Sequence, residues 1–166
     1  TTKKTFHFHK AVGKDVQYEI SHKQKYPGAG PLTLVDGFTG TSNYNDGYWQ
    51  GWEADNINVV IDLQNTEKIT QISVGLLESQ PSWIFLPTRV KVSFSEDGEF
   101  FQNEKTVSLE DGEKNGKPNR RVARLTGLKS SGRFVKIQAI NRKTCPEWHV
   151  GAGEKAWIFA DEIVVE

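Results

Sequence analysis

The sequence predicts an all-β protein, an antiparallel β-sandwich of the jelly-roll kind. Apolar and polar residues alternate with a period of two in several short segments, which is typical of strands with one buried face. Turn-forming pairs separate these segments, among them Asp46-Gly47, Asp97-Gly98 and Asn115-Gly116. No stretch longer than about ten residues keeps the 3.6-residue period of an amphipathic helix. Many short strands joined by such turns favour a sandwich or a jelly roll over any mixed architecture.

The individual strands follow from alternation and from β-branched content. Arg89–Ser95 alternates strictly, and 58–63 is a short apolar run between polar neighbours. In chain order, the predicted strand segments are Asp15–Ile20, 58–63, 69–76, Arg89–Ser95, 121–125, 133–140, 156–159 and 163–165. We therefore expect eight to nine strands. No linker, composition break or internal repeat divides the 166 residues, so one compact domain is predicted.

Composition narrows the classes of partner. Lysine plus arginine and aspartate plus glutamate both number 21, so the formal net charge is zero. A protein that binds nucleic acid or an anionic membrane usually has a basic excess, and none is present. No apolar run approaches the ~18 residues of a membrane span, so membrane insertion is not expected. Cys145 is the only cysteine, so a disulfide framework is excluded and the compartment stays open. We expect a monomer.

A set of motifs, taken in order, resembles the discoidin family, also called coagulation factor V/VIII type C domains. Each motif alone is weak, but their order is specific. The motifs are 34–37 (Leu-Val-Asp-Gly), Thr41, Trp49, 60–63 (Val-Ile-Asp-Leu), 95–101 (Ser-Glu-Asp-Gly-Glu-Phe-Phe), 133–137 (Arg-Phe-Val-Lys-Ile) and 160–163 (Ala-Asp-Glu-Ile). The resemblance implies a galactose-binding-domain-like jelly roll over 30–166. It leaves 1–29 as an N-terminal strand and a lead-in from a preceding domain.

Two further stretches, 79–87 and 145–157, are similar to the version at the C-terminus of Bacteroidetes chitobiase-type β-N-acetylhexosaminidases. This resemblance implies a non-catalytic carbohydrate-binding module of a secreted glycoside hydrolase. The implied partners are a glycan and the catalytic domain of the same polypeptide. The implied ligands are galactose- or N-acetylhexosamine-containing glycans, and the implied location is secreted, periplasmic or on the cell surface.

The family resemblance also implies a structural calcium ion where the two ends of the domain meet. Carried over by position, Asp36 and Glu162 would supply carboxylate oxygens and Thr41 a further oxygen, with carbonyls from Leu34 and Ala160. Calcium takes six to eight oxygen ligands, which such a set can supply. The residues alone leave a simpler alternative, in which Asp36-Gly37 is a turn and Glu162 a solvated edge residue.

Sugar recognition needs a flat aromatic ring for the C–H face and planar polar side chains for the hydroxyls. Three predicted loops, 43–55, 78–87 and 141–155, are rich in both kinds of residue. The proposed carbohydrate-binding residues are Trp83, Trp148, His149, Trp52, Glu53, Asn45 and Arg142. One alternative is that the tryptophans of the two later loops pack on one another. We expect Trp49 and Trp157 to belong to the core.

No catalytic constellation is expected. Glycoside hydrolysis needs two carboxyl groups about 5–10 Å apart. Asp161 and Glu162 are adjacent on a predicted strand, where neighbouring side chains point to opposite faces. Cys145 and His149 are separated by Pro146 and lack an evident orienting group. The competing hypothesis from another class is a structural accessory domain that packs on the catalytic domain without binding sugar.

Overall fold

Nine β-strands and two short 3₁₀ turns make up the computed structural model, which describes residues 4–166. The strands are β1 (Asp15–Ile20), β2 (Gln50–Glu53), β3 (Ile57–Ile69), β4 (Ile72–Glu78), β5 (Arg89–Ser95), β6 (Gln102–Ser108), β7 (Asn119–Leu125), β8 (Ser130–Ile140) and β9 (Trp157–Val165). The 3₁₀ turns are Thr33–Val35 and Gln80–Ser82. No helix in the described range has the length and apolar character needed to span a bilayer.

The strands form two antiparallel sheets packed as a sandwich. The five-stranded sheet has the order β1-β3-β8-β5-β6, and the four-stranded sheet has the order β2-β9-β4-β7. All adjacent strand pairs run antiparallel. The predicted all-β, galactose-binding-domain-like jelly roll is therefore confirmed.

The core lies between the two sheets, where alternate residues of each strand point inward. Val59 and Ile61 of β3 and Val135 and Ile137 of β8 are fully buried and belong to one apolar cluster. Burying a side chain of this size contributes about 1.5–3 kcal/mol relative to leaving it in water. The period of two in the sequence therefore reports real inward-facing positions.

The structure differs from the predicted strands in two ways: β2 and β6 were not predicted, and two predicted segments form a single strand, β9. β6 is almost wholly exposed, and its polar sequence contains a single inward-facing apolar residue, Val107. β2 has only four residues, and it exists because it pairs with β9. The predicted strands at 156–159 and 163–165 join into the continuous strand β9, which passes through a bulge at Asp161 and Glu162. These elements depend on pairing with neighbours rather than on their own pattern.

A second apolar layer covers the outer face of the four-stranded sheet. On β9, Ile158 and Ala160 point into the main core, so Trp157 and Phe159 point outward. The outward-facing cluster contains Trp49, Leu77, Ile84 and Phe159, with Tyr26, Tyr44 and Trp157 packed at its edge. Long connections between strands supply most of this layer, so loop residues and strand residues meet outside the sandwich core.

The N-terminal segment is part of the same sandwich. β1 pairs with β3 along Asp15–Ile20. Before β1, the backbone N–H of His7 donates to the carbonyl of Gly37, and that of Lys10 donates to the carbonyl of Val165. The predicted lead-in segment, 1–29, is thus joined to both sheets, although its first three residues lie outside the described range.

Candidate functional site

An aromatic recess of about 280 Å³ opens in the outer apolar layer. It is bordered by strand β9, by the segment after β1, by the loop before β2 and by the turn after β4. The residues of this aromatic recess are Tyr26, Tyr44, Pro81, Ser82, Trp83, Ile84, Trp157 and Phe159. None of these side chains is charged. Among them, Trp83 alone belongs to the set proposed from the sequence.

Tyr26 is the centre of the aromatic recess. Its ring centroid lies 4.8 Å from that of Phe159, 5.3 Å from that of Trp157 and 6.0 Å from that of Tyr44, each in an edge-to-face arrangement. Gly51 of β2 makes room for this cluster, since a Cβ there would lie 2.8 Å from the Phe159 ring. The rings therefore hold one another at fixed angles. Tyr26, Tyr44 and Trp157 are partly exposed, and the buried Phe159 ring lies beneath them at the base of a preformed concave surface.

Trp83 is held rigidly at the edge of the recess. Trp83 directly follows the turn Gln80–Ser82, and its backbone has a φ of 62°. Its carbonyl accepts a 2.8 Å hydrogen bond from the N–H of Trp157. On the other side of the indole lies Gly151, where a Cβ would come within 2.1 Å of the ring nitrogen. The half-buried Trp83 ring is therefore fixed between β9 and the loop that joins β8 to β9.

His149 has a structural position rather than an open one. It is 3% exposed, and its Nδ1 accepts the N–H of Gly151 at 3.0 Å. Its Nε2–H therefore donates the 2.7 Å hydrogen bond to the carbonyl of Gln80. Because both ring nitrogens are used by the backbone, the role in binding a sugar hydroxyl that the sequence suggested does not fit this geometry.

Trp148 lies outside the aromatic recess. The ring of His149 stands between the two loop tryptophans, with centroids 5.1 Å from Trp83 and 5.7 Å from Trp148. The indole of Trp148 is 36% exposed, and the ammonium of Lys114 lies 5.4 Å from its centroid. The expected pair of loop tryptophans is thus brought to one region, but only one member lines the concave surface.

The remaining predicted binding residues do not line the recess either. Trp52 has no exposed surface, lies in the core between the sheets and donates its indole N–H to the carbonyl of Ile20, so it is not a stacking platform. Glu53 ends β2, and Asn45 is an exposed residue of the preceding loop. Arg142 pairs with Asp111.

Sequence reasoning missed Tyr26 and Phe159 and assigned Trp157 to the core. The signal for Trp157 and Phe159 is present in the alternation of β9, because both lie on the face opposite Ile158. No such signal exists for Tyr26. It lies in a segment without periodicity and reaches the recess only through the tertiary fold.

A second cluster, on the other end of β9, brings Asp36 and Glu162 together; we call these two residues the acidic pair. Glu162 is 1% exposed, and its Oε1 accepts the N–H of Gly37 at 3.1 Å and lies 2.7 Å from Nε2 of His9. Its Oε2 is buried, and no group in residues 4–166 forms a hydrogen bond with it. The carboxyl of Asp36 lies near that of Glu162, and each affects the pKa of the other.

Burial sets the protonation of this cluster. Burial raises the pKa of Glu162 to about 9. The hydrogen bond from Gly37 is the next largest influence and lowers the pKa, and the nearby carboxylates of Asp36 and Asp161 raise it further. Burial also raises the pKa of Asp36 and lowers that of His9 to about 4, the latter with a smaller contribution from His7. A buried carboxyl beside a partly buried one is therefore stabilised by protonation or by a cation.

The cluster fits part of the calcium set inferred from the resemblance. An orphaned carboxylate oxygen beside a second carboxyl is the kind of oxygen-rich position that calcium prefers. Leu34 and Ala160 each lie two residues before a member of the acidic pair. The hydrogen bonds of Thr41 are made with other residues: its hydroxyl donates to Asp46, and its carbonyl accepts the indole N–H of Trp49.

The bulge in β9 changes the geometry of Asp161 and Glu162. Ala160 and Ile163 both face the core, so the two acidic residues together lie opposite Gly75 of β4. The expectation that they point to opposite faces is therefore wrong at this position. Asp161 forms a two-point ion pair with Arg120 and accepts the N–H of Gly40, so the two carboxyls have separate partners.

Comparisons with known proteins agree with this architecture. A sequence model described as the F5/8 type C domain matches residues 17–158. A fucose-binding module of Streptococcus pneumoniae is similar in structure with a TM-score of 0.59 and 14% identity, over 96% of this chain and 97% of that one. The lectin domain of lectinolysin, complexed with Lewis B antigen, has a TM-score of 0.59 and 16% identity, over 98% of both chains.

A chitosan-binding module in complex with chitotriose, from a chitosanase/glucanase of Paenibacillus sp. IK-5, has a TM-score of 0.55 and 18% identity. The match covers 94% of this chain and 98% of that one. At these identities the structural matches show a shared fold. No curated protein matches the chain significantly in sequence.

Proposed function

Because the chain belongs to the F5/8 type C domain family, we propose that it is a non-catalytic carbohydrate-binding module that binds a neutral sugar in the aromatic recess. The observation that carries this proposal is the recess itself. Five aromatic rings, from Tyr26, Tyr44, Trp83, Trp157 and Phe159, converge on one preformed concavity. Such a surface stacks on the C–H face of a pyranose, and the hydroxyls of Tyr26, Tyr44 and Ser82 supply hydrogen-bonding groups.

The structural relatives support the ligand class. Their descriptions name fucose, Lewis B antigen and chitotriose as ligands of those proteins. The absence of charged side chains among the residues of the aromatic recess favours an uncharged sugar over a uronate or a sialate, since a buried unpaired charge is costly. We propose galactose or an N-acetylhexosamine as the ligand, within a galactose- or N-acetylhexosamine-containing glycan.

The wider context is part of the same proposal. The resemblance of 79–87 and 145–157 to chitobiase-type enzymes supports a parent β-N-acetylhexosaminidase that is secreted, periplasmic or on the cell surface. The module would then hold a catalytic domain of the same polypeptide near its glycan. We also propose the structural calcium ion. Asp36 and Glu162 would hold it, and it would link the two ends of the sandwich.

One observation favours a second candidate function, a structural accessory domain without sugar binding. Phe8, Phe100 and Val150 are large apolar residues with at least 80% of their surface exposed. Exposed apolar groups of this kind are suited to contacts with another domain.

The test is intrinsic tryptophan fluorescence titrated with galactose, N-acetylglucosamine, N-acetylgalactosamine and chitobiose. Saturable quenching by one sugar is expected, and Trp83→Ala should abolish it. Trp148→Ala is the matched control, because the indole of Trp148 lies outside the recess. This variant should keep the affinity of the wild type. A flat response of the wild type to all four sugars at millimolar concentrations would instead support the accessory-domain function.

A further inference from the structure

A second recess of about 280 Å³, which we call the polar recess, lies next to the aromatic one. Gln80 lines the polar recess, and the next residue, Pro81, lines the aromatic recess. The two cavities therefore share the turn Gln80–Ser82. The side chains that line the polar recess are Glu78, Gln80, Glu113, Lys117, Asn119 and Arg121.

The floor of the polar recess is a fixed hydrogen-bond network. Glu78 and Gln80 are 7% and 1% exposed. The carboxylate of Glu78 accepts from the amide of Gln80 at 2.9 Å, from the N–H of Gly112 at 2.7 Å and from Arg121 at 2.9 Å. The side-chain carbonyl of Gln80 accepts the N–H of Asn115 at 2.7 Å. Because three of these four bonds tie the segment at Glu78 and Gln80 to residues 34 to 43 positions away, the floor is held in one arrangement.

The rim offers polar groups that are open to solvent. Glu113, Lys117 and Asn119 are exposed, and they stand around the fixed floor. The two acidic and two basic side chains of the lining, Glu78, Glu113, Lys117 and Arg121, give a formal charge of zero. The lining contains no aromatic residue. This chemistry fits a neutral, hydroxyl-rich group that is hydrogen-bonded rather than stacked.

We propose that the polar recess is a second subsite, which binds the next sugar residue of a neutral oligosaccharide whose first residue stacks in the aromatic recess. This inference rests on the proposed function. The aromatic recess supplies the stacking surface, and the polar recess supplies planar carboxylate, amide and guanidinium groups for neighbouring hydroxyls. The turn Gln80–Ser82 borders both recesses and so brings the two kinds of contact to the same turn.

The experiment is isothermal titration calorimetry with two pairs of probes: N-acetylglucosamine with chitotriose, and galactose with β-1,4-galactotriose. The variants are Lys117→Ala and Asn119→Ala. Lys105→Ala, an exposed lysine of β6 on the other sheet, is the matched control. In the wild type, one trisaccharide should bind about tenfold more tightly than its monosaccharide, the gain expected from one or two net hydrogen bonds.

Lys117→Ala and Asn119→Ala should remove most of that gain and leave the monosaccharide affinity unchanged, whereas Lys105→Ala should alter neither. Equal wild-type affinities for a monosaccharide and its trisaccharide would overturn the second subsite while the proposed function stands. Unchanged trisaccharide affinity in both polar-recess variants would overturn it as well, and would show that the network only holds the loop at 110–118. If no probe of either length binds, the proposed function itself fails.

Discussion

The Nε2–H of His9 donates a 2.7 Å hydrogen bond to Oε1 of Glu162, a residue 153 positions later in the chain. Both side chains are fully buried. The Nδ1 of His9 faces the backbone N–H groups of Ala11 and Val165, so the imidazole is the neutral tautomer with its proton on Nε2. This contact joins the segment before β1 to the last strand, and it places a neutral donor against a carboxyl that also touches Asp36.

Replacing His9 should therefore destabilise the fold. We expect His9→Ala to lower the free energy of unfolding by about 2–4 kcal/mol, because the buried Glu162 carboxyl loses its donor and a cavity remains. His9→Gln keeps an N–H donor, so its loss should be smaller. Urea denaturation measures both. His7→Ala, at an exposed neighbouring histidine, should change the stability by less than about 0.5 kcal/mol. Equal effects at the two positions would contradict the role of His9.

The stability of the calcium-free protein should fall as the pH rises above 6.5. Glu162 has a folded-state pKa of about 9 against an ordinary 4.5, so its contribution is complete below 4.5 and lost as the pH rises through 9. His9 has a folded-state pKa of about 4 against 6.5, so its contribution is complete above 6.5 and lost as the pH falls through 4. Between 4.5 and 6.5 these two trends oppose each other.

Of these two contributions, only that of Glu162 still changes above pH 6.5. It lowers the free energy of unfolding by about 1.4 kcal/mol per pH unit, the value for one proton. Urea melts in the presence of a chelator, at pH 5.5, 7 and 8.5, measure this. Glu162→Gln cannot ionise, so its stability should stay level between pH 7 and 8.5. A wild-type profile as level as that of Glu162→Gln would show that the carboxyl is ionised in the folded protein.

Calcium should raise the melting temperature, because a ligand that binds only the folded state stabilises it. At one hundred times the dissociation constant the gain is about 2.7 kcal/mol. Asp36→Asn and Glu162→Gln should each remove the shift, since they remove the carboxylates of the acidic pair. Thr41→Val should keep the shift, because the Thr41 hydroxyl is bonded to Asp46.

Differential scanning fluorimetry with calcium, magnesium or a chelator checks this prediction. Magnesium serves as the control for ionic strength and charge. An unchanged melting temperature in calcium would argue that the buried carboxyls share a proton instead. Loss of the shift in Thr41→Val would restore Thr41 to the ligand set.

Gly151→Ala should weaken sugar binding, although Gly151 does not line the aromatic recess. A Cβ at Gly151 would lie 2.1 Å from the indole nitrogen of Trp83, so the ring must move. We expect at least about a tenfold loss of affinity, equivalent to 1.4 kcal/mol. Ala152→Ser, at the next and exposed position, is the control and should bind as the wild type does. Unchanged binding by Gly151→Ala would show that the exact position of the Trp83 ring is unimportant.

The sandwich and most of its strand segments were predictable from the sequence alone. Alternation in Arg89–Ser95 predicted one buried face, because a strand with one face on the core repeats every two residues, and Val90 and Val92 are indeed buried in the main core. The family motifs also brought Asp36 and Glu162 into one prediction, and the structure places these two carboxyls together. The two-residue period of a strand and the residues of a family motif are local properties of the sequence, so both can be recognised without a structure.

Which outward-facing residues are covered, and which residues they contact, follows from the packing of distant segments. Trp52 proved to be a core residue because four residues of β2 pair with β9, and the pattern of so short a segment cannot specify that pairing. Tyr26 reached Phe159, and His9 reached Glu162, through contacts between segments more than a hundred residues apart. Such contacts depend on how loops pack over a finished sheet, and the aromatic recess exists only after that packing.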